Sequence, residues 1–191
     1  MNDGKSKSEF TFTKRRIEKY DIRWGAGAWA IFSIDETTGL MQCMSSYGEW
    51  SYAWPHHGRT TFKDFLLEME RDWQYLLRKV SATVFDFDQS IKYWKNHIID
   101  IRRAAGCTKE QARDAFDVID DLEVDDAGYC AAVLNSSYAI SAADPDFWEV
   151  LNGVKEYPYE AMIFAQTIWP MLCEVIRGEL KENESVETVI E

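Results

Sequence analysis

Apolar and polar residues alternate with period two through the first quarter of this chain. Phe10 and Phe12 alternate with Thr11 and Thr13, and Tyr20, Ile22 and Trp24 keep the same beat. Short apolar runs follow at 29–34 and 40–44, and Trp50, Tyr52 and Trp54 alternate again. Period two puts alternate side chains on opposite faces of a strand. The intervening Gly25-Ala26-Gly27, Asp35-Glu36-Thr37-Thr38-Gly39 and Tyr47-Gly48-Glu49 read as turns, and links this short join antiparallel neighbours. The pattern predicts a four-stranded antiparallel meander over residues 9–54.

After Pro55-His56-His57-Gly58 the period becomes helical. Phe62, Phe65, Leu66, Met69, Trp73, Leu76, Leu77 and Val80 form one stripe, with Thr60 or Thr61 as its cap. Phe87, Ile91, Trp94, Ile98, Ile101 and Ala105 form a second, started by Asp86 with Gln89 and stopped at Gly106. Thr108-Lys109-Glu110-Gln111 has the form of a capping box, opening a third helix with Ala112, Ala115, Phe116, Ile119 and Leu122 inward. Helices are further expected at 127–141, after Asp144-Pro145, and over 159–180, the last kinked by Pro170. A sheet followed by a run of helices is an α+β arrangement with the helices segregated. The expected organisation is a polar, flexible start at 1–8, one α+β domain over 9–181, and an acidic flexible tail at 182–191.

Charge divides the chain unevenly. Residues 1–105 hold sixteen Lys/Arg against fourteen Asp/Glu, whereas 106–191 hold five against nineteen. The second half therefore has a net charge of −14 within a total of −12, a field that repels nucleic acid and attracts basic surfaces. Six of the eight Trp lie in 1–105, so that part is expected to form most of the core. The helices after Gly106 are then expected to lie on it with carboxylates outward.

A hydrophobic content of 46% with eight Trp, nine Tyr and ten Phe excludes a wholly disordered chain. No apolar run approaches the roughly 18–20 residues of a membrane span. The opening Met1-Asn2-Asp3-Gly4-Lys5-Ser6-Lys7-Ser8 has no apolar stretch after its charges, so a cytosolic location is expected. Cys43, Cys107, Cys130 and Cys173 are scattered without a CxxC and read as reduced, structural residues, Cys107 being the most exposed.

Candidate chemistry is sparse. Gly25-Ala26-Gly27-Ala28-Trp29 lacks the third glycine and the following helix that a phosphate cradle needs. A calcium loop begun at Asp121 would have Asp126 in place of the turn glycine and Ala132 in place of the bidentate Glu. His56 and His57, with Asp64 or Glu68 on the next helix and His97 as a third member, form the one constellation suited to catalysis or metal. Adjacent histidines in an extended segment point opposite ways, however. Trp24, Trp29, Trp50, Tyr52 and Trp54, with Arg15, Arg16 and Arg23, loosely resemble a base-stacking sheet, but the overall field opposes nucleic acid. No cofactor or metal is expected.

The third helix carries Glu110, Asp114, Asp117 and Asp121 at i, i+4, i+7 and i+11 on one face, with Asp120 beside them. Their axial spacing of about 4.5–6 Å is comparable to that of phosphates along a nucleic-acid strand. Such a face could fill a basic groove, or it could serve as a solvated stripe.

The segment 24–32, Tyr47-Gly48-Glu49-Trp50-Ser51-Tyr52-Ala53-Trp54, the stripe 62–77, Thr108-Lys109-Glu110-Gln111-Ala112 and Ile168-Trp169-Pro170 are together similar to a family of uncharacterised phage and prophage proteins. The resemblance carries no activity. It implies a bacterial cytoplasm and an accessory gene of a mobile element, a class that often acts by binding and includes inhibitors of host defence. The leading expectation is a non-catalytic binding protein. Its partner would be a host or phage protein with a basic surface, held through Glu110, Asp114, Asp117, Asp120 and Asp121. The alternative is a small enzyme or metal protein using His56, His57 and Asp64.

Overall fold

The computed structural model describes residues 11–188, with side chains as far as residue 182. The opening 1–8 and the end of the acidic tail lie outside the described residues. Along the chain, β1 (Glu18–Trp24), β2 (Ala28–Asp35), β3 (Leu40–Ser45) and β4 (Gly48–Ala53) lead into α1 (Phe62–Met69) and α2 (Trp73–Val80). A short β5 (Val84–Asp86) opens α3 (Phe87–Arg103), and α4 (Lys109–Asp120), α5 (Ala127–Ser136) and α6 (Tyr138–Ala143) follow. A 3-10 turn (Phe147–Val150), β6 (Val154–Glu156), α7 (Tyr159–Ile163), a π-helical turn (Phe164–Ile168) and α8 (Trp169–Thr188) complete it. The order is α+β, a sheet followed by helices, as the periodicities predict.

The sheet is the predicted meander, with strand order β1-β2-β3-β4. It begins at Glu18, which lies opposite Ile34; residues 11–17 form no strand and are exposed, because β2 ends one residue later at Asp35 and gives them no strand to pair with. The helical stripe 62–80 is two helices. Asp72 interrupts it by accepting the Tyr75 N–H at 3.0 Å, which caps a new helix. Ser137 divides 127–141 in the same way, as cap of α6.

The chain divides into two compact units, and the boundary is not the charge step at 105/106. One unit contains the sheet, α1, α2 and the chain from Glu160 onward; the other is Ala82–Tyr159. In the first, Ala30, Phe32, Ile34, Met41, Cys43 and Trp50 cover the inner sheet face. Phe32 meets Phe164 and Trp169, and Trp50 meets Phe164; Phe62, Leu66 and Met69 of α1 are buried in the same unit. Pro170 cannot donate to the Gln166 carbonyl, and the predicted kink takes the form of the π turn just before it. That turn buries Phe164, Ala165 and Ile168. The Phe164 ring stacks on Trp50 at 4.3 Å between centroids.

A partly buried ion cluster joins β1, α1 and α8. Lys63 Nζ lies 2.6 Å from Glu18 and 3.0 Å from Glu179, with its side chain 14% exposed. The Tyr20 hydroxyl lies 2.6 Å from Glu18 and 2.9 Å from Glu179. Burial works against the Lys63 ammonium, but hydrogen bonds to Glu18, Tyr20 and Glu179 outweigh it and raise the pKa above the ordinary lysine range. A raised pKa means the contribution is complete below the unfolded lysine value and is lost as pH climbs through the folded one. Lys63→Met should therefore destabilise the protein by about 2 kcal/mol at neutral pH, leaving two carboxylates facing each other. In chemical denaturation the deficit should shrink in strongly alkaline solution, and also in acid. Burial raises the Glu18 carboxyl, but hydrogen bonds from Lys63 and Tyr20 hold it below its ordinary range, and that contribution is lost once it is protonated.

The second unit has its own core of Trp94, Ile98, Ala115, Ile119, Cys130, Leu134, Ile140 and Phe147. The predicted caps are present: Gln89 N–H donates to Asp86 at 2.8 Å, and Thr108 and Gln111 form the reciprocal box. The stop of α3 differs from expectation. Ala105, not Gly106, takes the left-handed conformation (φ 59), while Gly106 N–H donates to the Ile101 carbonyl at 2.9 Å in a Schellman arrangement. Glycine at 106 also eases the approach to Ile101, whose side chain a Cβ there would meet at 3.0 Å. Cys107 beyond it is buried, 7% exposed, rather than exposed as expected. After α6, Asp144 accepts from Asp146 N–H at 3.1 Å, so Pro145 lies in a turn and the helix that follows is the 3-10 turn.

Candidate protein-interaction surface

The histidine constellation is not assembled. His56 is exposed. His57 accepts the Arg59 backbone N–H at 3.3 Å and lies against Phe62 and Phe65. Asp64 is committed to the α1 cap, 2.8 Å from the Thr61 hydroxyl, and Glu68 receives the Arg59 guanidinium at 2.7 Å. His97 pairs instead with the buried Asp144, Nε2 to Oδ2 at 2.7 Å. Among the described residues no group of three or more His, Cys, Asp or Glu is placed to hold a metal ion.

The remaining candidates resolve into structural roles. Gly25 and Gly27, both with positive φ, make the β1–β2 hairpin turn. Asp126 of the would-be calcium loop caps α5, accepting the Tyr129 N–H at 2.6 Å. Trp50 and Trp54 are buried, and Trp24 and Tyr52 share the inner parity of the strands. Of the five sheet aromatics only Trp29 falls on the outer face, so no stacking platform forms. All four cysteines are buried and free. Burial pushes the Cys43 and Cys173 thiols up to about 12, which leaves them un-ionised and unreactive at neutral pH.

The acidic helix is laid out as its spacing predicts. Glu110, Asp114, Asp117 and Asp120 lie on α4, Asp121 is its C-cap, and all five are exposed. Asp120 pairs with Lys95 of α3; the other four have no ion pair among the described residues. Exposed Glu123, Asp125 and Asp126 continue the acidity beyond the helix. The last turn of α4 holds no basic residue. Its carbonyl end carries partial negative charge, so each carboxylate there is unfavourable by about 0.3–1 kcal/mol at low ionic strength. The i, i+4 pairs Glu110–Asp114 and Asp117–Asp121 repel as well. This inversion of the usual helix-end chemistry was readable in the sequence, where 117–126 contains six acids and no base.

Beside this end, Phe87, Asp88, Ile91, Lys92, Ile119, Asp120 and Leu122 line a shallow cleft of about 340 Å³. Spacing along one helix could not have shown it, since it is made by two.

A family model, Phage_phiTE_072, described as a phage family, matches residues 8–178. The chain belongs to this phage family. No curated protein and no solved structure matches it. In this phage protein, no helix among the described residues is long and apolar enough to cross a membrane.

Proposed function

We propose that this phage protein is a non-catalytic accessory factor of the bacterial cytoplasm. It binds a host or phage protein with a basic surface through Glu110, Asp114, Asp117, Asp120 and Asp121. The carrying observation is Asp117 and Asp121 at the carbonyl end of α4, exposed and without an ion pair among the described residues. They oppose the helix dipole and each other, and violations of local stability rules concentrate at functional sites. Their regular spacing along an exposed face suits a groove built for phosphates, which favours inhibition of a defence or nucleic-acid-processing protein. Complementary charge of this kind acts mainly on encounter rate and specificity.

The test is tagged capture from phage-infected bacteria, comparing the wild-type chain with D114K/D117K/D121K. Retention of the specific partner should fall about ten-fold, or about 1.4 kcal/mol, and DNA should compete with the acidic protein for the captured partner. Equal retention by the two proteins overturns the reading.

A further inference from the structure

The exposed segment 11–17 and the cleft between α3 and the end of α4 have complementary chemistry. Residues 11–17 read Thr-Phe-Thr-Lys-Arg-Arg-Ile, form no helix or strand and are exposed throughout. Phe12 is 84% and Ile17 54% exposed, so neither apolar side chain is covered within the single chain. In an extended run Phe12, Lys14 and Arg16 share one side at intervals of about 7 Å, while Arg15 lies on the other, where its charge acts on Asp35.

The cleft supplies the counterparts. Phe87, Ile91, Ile119 and Leu122 give it an apolar floor, and Asp88 and Asp120 line it against one cation, Lys92. Asp121 and Glu123 flank Leu122 in sequence, exposed and without an ion pair among the described residues. Ala82–Tyr159 carries seven Lys/Arg against fifteen Asp/Glu, so its field draws a cationic segment toward this floor.

We infer that residues 11–17 of one copy dock in this cleft of a second copy. Phe12 enters the apolar floor, and Lys14 and Arg16 meet the carboxylates at Asp88, Asp121 and Glu123. The contact is small, belongs to the class of weak interfaces, and depends on salt. The surface overlaps the one proposed above for a foreign partner, but self-association is read on purified protein alone, so either reading can fail without the other.

The experiment is sedimentation velocity on the full chain. At low salt the mean mass should rise with protein concentration, and it should return to that of the monomer near 0.5 M NaCl, where the screening length is a few ångströms. F12S, which lacks the anchor, and D88K/D121K, which lacks the receiving rim, should each remain monomeric. Mixed together they should associate, because one retains the cleft and the other the segment. This complementation separates a lost contact from a lost fold. A wild-type protein that stays monomeric in low salt at sub-millimolar concentration overturns the inference. So does a mixture of the two variants that fails to associate.

Discussion

Phe164→Ala should destabilise the sheet-containing unit by about 3–5 kcal/mol, the range for emptying a fully buried aromatic site. Phe164 is 0% exposed and touches three other core aromatics. It stacks on Trp50 at 4.3 Å and approaches Trp169 at 5.9 Å and Phe32 at 6.3 Å. The π turn presents Phe164, Ala165 and Ile168 together to the core, and the sheet face opposite is held by its ladder, so collapse around the missing ring is limited. Phe164→Leu retains most of the volume and should lose about 1.5 kcal/mol or less. Urea denaturation followed by tryptophan fluorescence measures both. A loss below about 1.5 kcal/mol for the alanine variant would show that the aromatic cluster is not the centre of this core.

Gly153→Ala should have nearly as large an effect on the other unit, about 3 kcal/mol from steric overlap and backbone strain together. Gly153 has a φ of +59, and a Cβ there would lie 2.5 Å from Ser90 Oγ and 2.8 Å from the Phe85 ring. Ser90 cannot simply move away. Its hydroxyl donates to the Asp86 carbonyl at 2.6 Å and accepts the Val154 N–H at 2.8 Å, so it ties the start of α3 to β6. The local signature is therefore hydrogen exchange at the Val154 amide, which should lose protection before residues of the sheet do. An alanine variant with wild-type exchange there would contradict this account of the α3–β6 junction.

The elements were legible where a local pattern also controlled the tertiary outcome. The meander follows from period two and three short turns, and the caps at Asp86 and Thr108 follow from side chains that reach only three residues. Breaks inside continuous stripes were not legible. The 62–80 stripe keeps its spacing across the Asp72 interruption, and only the three-dimensional path shows that the carboxylate captures a new helix end. The alternation of Phe10 and Phe12 with Thr11 and Thr13 extends the first strand further than the fold does, because a strand also needs a neighbour, and β2 stops at Asp35. Gly106 marks the helix stop, but its part there is a close approach to Ile101, while Ala105 bears the left-handed backbone. The acidic face was legible because helical spacing alone fixes it. The cleft beside it was not, because Phe87 and Ile91 come from α3 and Leu122 from the end of α4.

Thermal unfolding of the wild-type chain and D117K/D121K, each at low ionic strength and near 0.1 M NaCl, tests most directly whether the end of α4 trades stability for recognition. Reversal replaces two carboxylates opposed by the helix dipole with favourable cations, each change contributing about 0.3–1 kcal/mol. Screening over about 10 Å at 0.1 M should relieve the same repulsion in the wild type. The predicted result is a variant that melts higher than wild type at low salt, and a wild type whose midpoint rises more steeply with added salt. A variant that melts lower than wild type at low salt would contradict the account, because it would make Asp117 and Asp121 structural residues of the fold.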